Sequence, residues 1–194
     1  MSTAAHRAHT EHASGTPRHH VAAFDPGEWP KYLRTHDGVE YRVRPVRDDD
    51  FERERRFLTE LSPASRYNRM MGLMGAPSKE LVEHLVHVDY RHEMALAAVV
   101  GNAEDESIIA VARYCGDPDQ SEYAVAVADE WQSRGIGTAL SKILFEYAKS
   151  HGVRRMYATT FTCNNRMLKL ARDMHMNTHL ASYDPAVVEA WRTL

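Results

Sequence analysis

From residue 38 onward the apolar positions recur with two different periods, and the switches between them divide the chain into elements. Val39, Tyr41 and Val43 alternate with Glu40, Arg42 and Arg44, the period of a half-buried strand that Pro45 helps to end. Residues 48–61 predict a helix, with Asp48, Asp49 and Asp50 as its N-cap and negative first turn and with Glu52 four residues ahead of Arg56. The interleaved Arg and Glu of that helix read as a solvated face. Ser62-Pro63 restarts a helix that carries Tyr67, Met70 and Met71 before Gly72 stops it. A further helix over residues 78–87 buries Leu81 and Leu85. Residues 94–100 and 107–114 are apolar strands of a meander, and Gly116-Asp117-Pro118-Asp119 turns the chain into the next strand.

That next strand, residues 122–128, sets Tyr123, Val125 and Val127 on one side and Ala124, Ala126 and Ala128 on the other. A Gly-rich turn follows, and Leu140, Ile143, Leu144, Tyr147 and Ala148 then mark a helix with one buried stripe, stopped at His151-Gly152. A strand over 155–161 comes next. Asn164 opens a last helix with Met167, Leu170, Ala171 and Met174 on its buried side. Strands at 177–183 and 187–194, split by Asp184-Pro185, complete the chain. Strand, helices, meander, helix, strand, helix, two strands is the order of an α/β domain with one central twisted mixed sheet flanked by helices.

Ahead of this domain the pattern fades. Residues 1–28 hold five of the twelve His and hardly an aliphatic side chain larger than Ala before Val21, which predicts a disordered, His-rich tail. His6, His9 and His12, with His19 and His20 behind them, have a spacing that suits weak metal binding, but no carboxylate or Cys accompanies them at a fixed geometry, and the tail reading is preferred. Residues 29–37 read as a linker, with Trp29 and Tyr32 docking the end of the tail, and residues 38–194 as the single folded domain.

Composition changes this picture little. A chain of 194 residues, 43% apolar and 26% charged, suffices for one well-filled core. A net charge of −3 gives no reason to expect nucleic acid or an anionic membrane surface as partner. The longest apolar run, residues 94–100, is far below a membrane span, and the expected compartment is the cytoplasm. Cys115 and Cys163 lie far apart without a metal or disulfide spacing and read as reduced thiols; neither has a base beside it that would make it an acyl-carrying nucleophile. His84 and His87 share a helix face without a third ligand, so no metal site is expected.

The turn after the third meander strand carries the chemistry. A strand that feeds a Gly-rich turn opening a helix presents unpaired N–H groups at the positive end of the helix dipole, a site for phosphate. Gly135 and Gly137 let the backbone approach an oxyanion, and Arg134 adds positive charge. No Gly-Lys-Ser/Thr follows, and Leu140 stands where a dinucleotide fingerprint needs its third Gly. What remains, Gln132, Arg134, Gly135 and Gly137 after a strand, resembles the pyrophosphate loop of the GNAT acetyltransferases, and Glu122 at the head of the strand resembles the branch that acetylates protein lysines.

The resemblance covers residues from about 38 to 194. It implies the GNAT fold, acetyl-CoA as cosubstrate, and a cofactor site made by Val125, Ala126, Val127, Gln132, Ser133, Arg134, Gly135, Ile136, Gly137, Thr138 and Asn164. Asn164 keeps two readings, helix cap and ligand of the pantetheine arm. The resemblance also implies a bulge in the Glu122 strand, and an acceptor side made by the helices of residues 62–92. Two departures stand out: Met174-His175-Met176 replaces a usual Leu-Gly-Phe, and Ala171 stands where many members carry a Tyr that protonates the leaving thiolate.

From the residues alone Glu122 is an exposed side chain at a strand start; the resemblance makes it the catalytic base. A lysine amine has a pKa near 10.4, so roughly one in two thousand is free base at neutral pH, and a carboxylate acting directly or through water supplies the deprotonation. Backbone N–H near Val127 would stabilise the oxyanion. Three functions are open: acetyl transfer to a protein lysine, which leads; acetyl transfer to a small amine; and a sensor module that binds acetyl-CoA without turnover. A monomer or a homodimer is expected.

Overall fold

The computed structural model describes residues 28–72, 75–102 and 104–194. The expected disordered tail, with its histidines, lies outside the described residues apart from Glu28. Strands β1 (Lys31–Arg34), β2 (Glu40–Pro45), β3 (Glu93–Val100), β4 (Ser107–Asp117), β5 (Gln120–Val127), β6 (Arg155–Phe161), β7 (Asn177–Leu180) and β8 (Val187–Thr193) form one sheet in the order β1-β2-β3-β4-β5-β6-β8-β7. Every neighbouring pair is antiparallel except β5 and β6, so the sheet is mixed.

Helices α1 (Phe51–Glu60), α2 (Pro63–Arg69) and α3 (Lys79–Val86) connect β2 to β3, α4 (Ile136–Ser150) connects β5 to β6, and α5 (Asn165–Asp173) follows β6. The central strand β3 shows why two layers form. Met94, Leu96 and Ala98 point to one face and pack with Leu140, Leu144 and Ala148 of α4. Ala95, Ala97 and Val99 point to the other and pack with Phe57 and Leu58 of α1 and Val82, Leu85 and Val86 of α3. A strand covered on both faces needs apolar residues at every position, which is why residues 94–100 read as a continuous run.

Local signals place most element ends. Ser62 caps α2 by accepting from Ser65 N, Ser78 caps α3 by accepting from Leu81 N, and Gly152, at φ +84°, lets the chain leave α4.

The start of the domain and the start of α1 differ from expectation. Residues 31–34, expected as linker, form β1 and pair with β2 from Lys31↔Val43 to Arg34↔Glu40. This edge strand is short and mostly exposed, so it carries no apolar alternation to read. Trp29 packs against the core as expected, whereas Tyr32 is 74% exposed.

Asp50 does not cap α1. It is fully buried and accepts from Arg44 Nη1 and Nη2 at 2.6 and 2.7 Å and from Arg47 N at 2.8 Å. Burial works to raise its pKa, but the Arg44 guanidinium holds the carboxyl below its usual range. Arg44, itself 2% exposed, is completed by Glu106 from the start of β4, and this enclosed trio ties β2, α1 and β4 together. Nor is α1 a fully solvated face, since Glu54 is 3% exposed. Glu52 pairs with Arg55 at 2.7 Å in place of Arg56.

Candidate active site

The cleft of this protein begins where two strands part. β5 keeps an unbroken antiparallel register with β4, from Asp117↔Gln120 to Ala110↔Val127. With β6 it pairs only at Ser121↔Met156 and Glu122↔Tyr157. Beyond Glu122 the two strands diverge, and a cleft of about 950 Å³ opens between them. The expected bulge in β5 is absent; the register shift of the sheet lies between β3 and β4, at Ala98/Val99. A regular β5 puts Glu122, Ala124 and Ala126 on one face, where Ala126 packs with the α1 and α3 layer. Tyr123, Val125 and Val127 take the face covered by α4.

At the far end of β5 the Gly-rich turn closes the cleft. Ser133 and Gly135 have φ of +61° and +89°, and Gly135 is the N-cap of α4 without a side-chain cap. Because the first intrahelical bond runs from Ala139 N to Gly135 O at 3.0 Å, the N–H groups of Ile136, Gly137 and Thr138 have no acceptor within α4. A Cβ on Gly135 would lie 2.4 Å from His36 Nε2, and one on Gly137 would lie 3.4 Å from Val127 Cγ2. The β1–β2 turn therefore buttresses the loop, and His36 N also donates to Arg134 O at 3.1 Å.

Gln132 Nε2 donates to Val127 O at 2.9 Å and to Ser65 Oγ at 3.2 Å, while its Oε1 is buried without a partner. Asp129 joins the same junction by accepting from Ser62 N, Ser62 Oγ and Ser65 Oγ at 2.8, 2.8 and 2.7 Å. Partial burial works to raise the Asp129 carboxyl, but these bonds from the start of α2 hold it below its usual range. The turn that would hold phosphate is thus fastened to the helix on the opposite wall.

Of the residues expected to bind cofactor, Val125, Ala126, Val127, Gln132, Ser133, Gly135, Gly137, Thr138 and Asn164 line the cleft, as Glu122 does at its head. Two side chains do not. Ile136 is 1% exposed within the α4 core layer, which leaves only its backbone N–H to the loop. Arg134 lies over Trp131 at 4.9 Å and pairs with Asp37 at 3.3 Å. Asn164 caps α5 by accepting from Met167 N at 3.1 Å and donates to Thr160 Oγ1 at 3.0 Å while facing the cleft, so both of its readings remain compatible.

The cleft also takes residues that local patterns did not single out: His36, Arg69, Lys142 and Arg166. Lys142 follows Thr138 by one helical turn, a spacing that marks it as facing the same way as the turn, and this was the available signal. His36 and Arg69 reach the cleft through tertiary packing alone.

Glu122 is exposed, and its neighbours across the strands are Cys115 and Tyr157. Partial burial, then the charge of Glu122, push both of those groups up, which leaves Cys115 a poor nucleophile. The tyrosine on the cleft wall, Tyr123, is buried and bonded through its hydroxyl to Ser141. Ala171 is a core residue at 2% exposure. Among the described residues no group of three or more His, Cys, Asp or Glu is placed to hold a metal, and no helix is long and apolar enough to cross a membrane. His84 is exposed, and His87 Nδ1 stands 3.7 Å from Asp48.

Comparison with known proteins agrees with this geometry. The model of the acetyltransferase (GNAT) family matches residues 51–176. Acetyltransferase PA5475 of Pseudomonas aeruginosa is 34% identical over 151 residues, which cover 77% of this chain and 80% of that protein. Acetyltransferase Pat of Mycolicibacterium smegmatis is 31% identical over 156 residues, covering 79% of this chain and 45% of that longer protein. The crystal structure of the GNAT domain of S. lividans PAT superposes with a TM-score of 0.80 at 30% identity, covering 88% of this chain and all of that one.

Proposed function

Because the chain belongs to the GNAT acetyltransferase family, whose members use acetyl-CoA as cosubstrate, we propose that it transfers the acetyl group of acetyl-CoA to the side-chain amine of a protein lysine. The residues fit the cosubstrate. Three N–H groups at the start of α4, beside a glycine whose Cβ would be blocked, form a cradle for the pyrophosphate, and Lys142 and Arg166 on the same cleft supply countercharge. The pantetheine arm would then run along the open edge of β5 towards Glu122.

The observation that carries the reading is the position of Glu122, an exposed carboxylate at the point where β5 leaves β6, followed on its face by the small Ala124 and Ala126. An amine entering there meets a base before it meets the thioester. Its nitrogen attacks the acetyl carbonyl, its proton passes to Glu122 directly or through water, and the C–S bond breaks to release the thiolate, which takes a proton from water. Water in this last role suits a cleft with no free tyrosine hydroxyl on its wall among the described residues. Similarity to acetyltransferases PA5475 and Pat supports acetyl transfer as the reaction.

The test is purified protein with acetyl-CoA against a panel of lysine-bearing proteins and a panel of small amines, followed by thiol release and by mass spectrometry of the acceptor. Acetyl-lysine on a protein acceptor is expected. Turnover confined to small amines would overturn the acceptor assignment, and acetyl-CoA binding without turnover on either panel would overturn the reaction.

A further inference from the structure

The side chain of Arg69, the last residue of α2, lines the cleft on the side of Glu122 and has no hydrogen bond or ion pair with any described residue. The titratable groups whose fields reach it are Arg113, Glu54, Glu122 and Cys115, all gathered where α1, α2, β4 and β5 meet. None of them neutralises it by contact. Arg113 is engaged with Glu93 at 3.5 Å. Glu54 is 3% exposed, its Oε2 has no partner among the described residues, and burial pushes its carboxyl up to about 7. Glu122 stays exposed to solvent and forms no ion pair with any described residue.

A guanidinium on the cleft wall whose five donors have no partner among the described residues is available to an anion that enters the cleft. The pyrophosphate is not that anion. Its cradle lies beside Val127, five residues along β5 from Glu122, about 16 Å at the usual strand rise. Beside the Glu122 carboxylate a bound carboxylate adds one further negative charge where a phosphate would add up to two, which favours a carboxylate over a phosphate. The planar fork of Arg matches a carboxylate in two parallel hydrogen bonds.

We infer that Arg69 forms a carboxylate subsite at the acceptor end of the cleft, so that the preferred acceptor is an amine with a carboxylate within a few ångströms of the reacting nitrogen's path. Two sources share this chemistry: an Asp or Glu side chain near the acceptor lysine of a protein, or the acceptor's own carboxylate in a small amino acid. The inference rests on the acetyltransferase reading for the location of the acceptor, but its test does not require turnover.

The test is calorimetry on protein saturated with CoA. The peptide arm compares terminally blocked lysine peptides with Asp one or two residues either side of the lysine against the same peptides with Asn. The small-molecule arm compares 5-aminopentanoate with 5-aminopentanamide. A preference for the carboxylate of about 10- to 100-fold in one arm is expected, and the arm in which it appears identifies the source. Arg69→Gln should reduce that ratio below about 3-fold, and Arg69→Lys, which keeps the charge without the fork, should leave an intermediate ratio. Melting curves check that both variants are folded. A ratio near one in both arms for the unaltered protein, or a ratio that survives Arg69→Gln, overturns the subsite. A carboxylate preference in binding, together with no thiol release from any acceptor once acetyl-CoA replaces CoA, supports the subsite and counts against the acetyl-transfer reading instead.

Discussion

Gln132 Nε2 donates to the main-chain carbonyl of Val127 at 2.9 Å, across the turn that joins the end of β5 to the start of α4. With its second bond, to Ser65 Oγ, the side chain holds the Gly-rich loop, the strand end and the start of α2 in one arrangement. Gln132→Leu keeps the volume and removes the donor, leaving the Val127 carbonyl without that partner at a cost of about 1–3 kcal/mol. The expected result is a lower melting temperature together with acetyl-CoA binding weakened about tenfold, read by calorimetry. Unchanged affinity would mean that the loop holds its shape without this link.

Gly135 separates two ways of holding pyrophosphate. At φ +89°, with His36 Nε2 2.4 Å from where a Cβ would stand, Gly135→Val strains the turn and displaces the His36 ring that packs on it. Acetyl-CoA affinity should fall by at least about 100-fold, whereas Arg134→Ala, whose side chain is spent on Asp37 and Trp131, should cost only about 3-fold. Equal losses would place the phosphate grip on the Arg134 side chain and not on the backbone.

Glu122→Gln should leave acetyl-CoA affinity and melting temperature intact while lowering turnover about 10²- to 10⁴-fold near neutral pH. The deficit should narrow as pH rises toward the lysine pKa near 10.4, because the amine then arrives deprotonated. Full turnover by the variant across the neutral and mildly alkaline range would remove Glu122 from proton transfer.

Glu54 makes stability depend on pH. Burial raises its pKa from 4.5 to about 7, against the pull of Arg69 and Arg113 and with a smaller push from Asp50. The folded state therefore binds this proton more tightly than the unfolded state. The resulting stability is fully present below about pH 4.5, drains away as pH climbs through 7, and is absent above it. Glu54→Gln removes the ionisation, so urea unfolding should show a gain on the order of 3 kcal/mol at pH 8 and little at pH 4.5. Parallel stability curves for the two proteins would show that this carboxyl is not the group responsible.

Much of this protein was legible one stretch at a time. The alternation in 122–128, the glycines of the turn, the apolar stripe of 140–148 and the Asn164 cap each act within a few residues, so the sequence by itself determined β5, the Gly-rich turn, α4, α5 and the mixed sheet they imply. Only the tertiary structure decided the rest. Arg44 buries Asp50 with Glu106, a residue 62 positions away, which turned an expected helix cap into a core ion pair. Residues 31–34 became a strand because β2 offered an unpaired edge, not because of any pattern of their own. Arg134 was drawn to Asp37 and Trp131, and Arg69 came to line the same cleft as Glu122. Periodicity and capping are short-range, whereas the pairing of charges depends on which distant segments the sheet brings together, and that geometry exists only once the chain has folded.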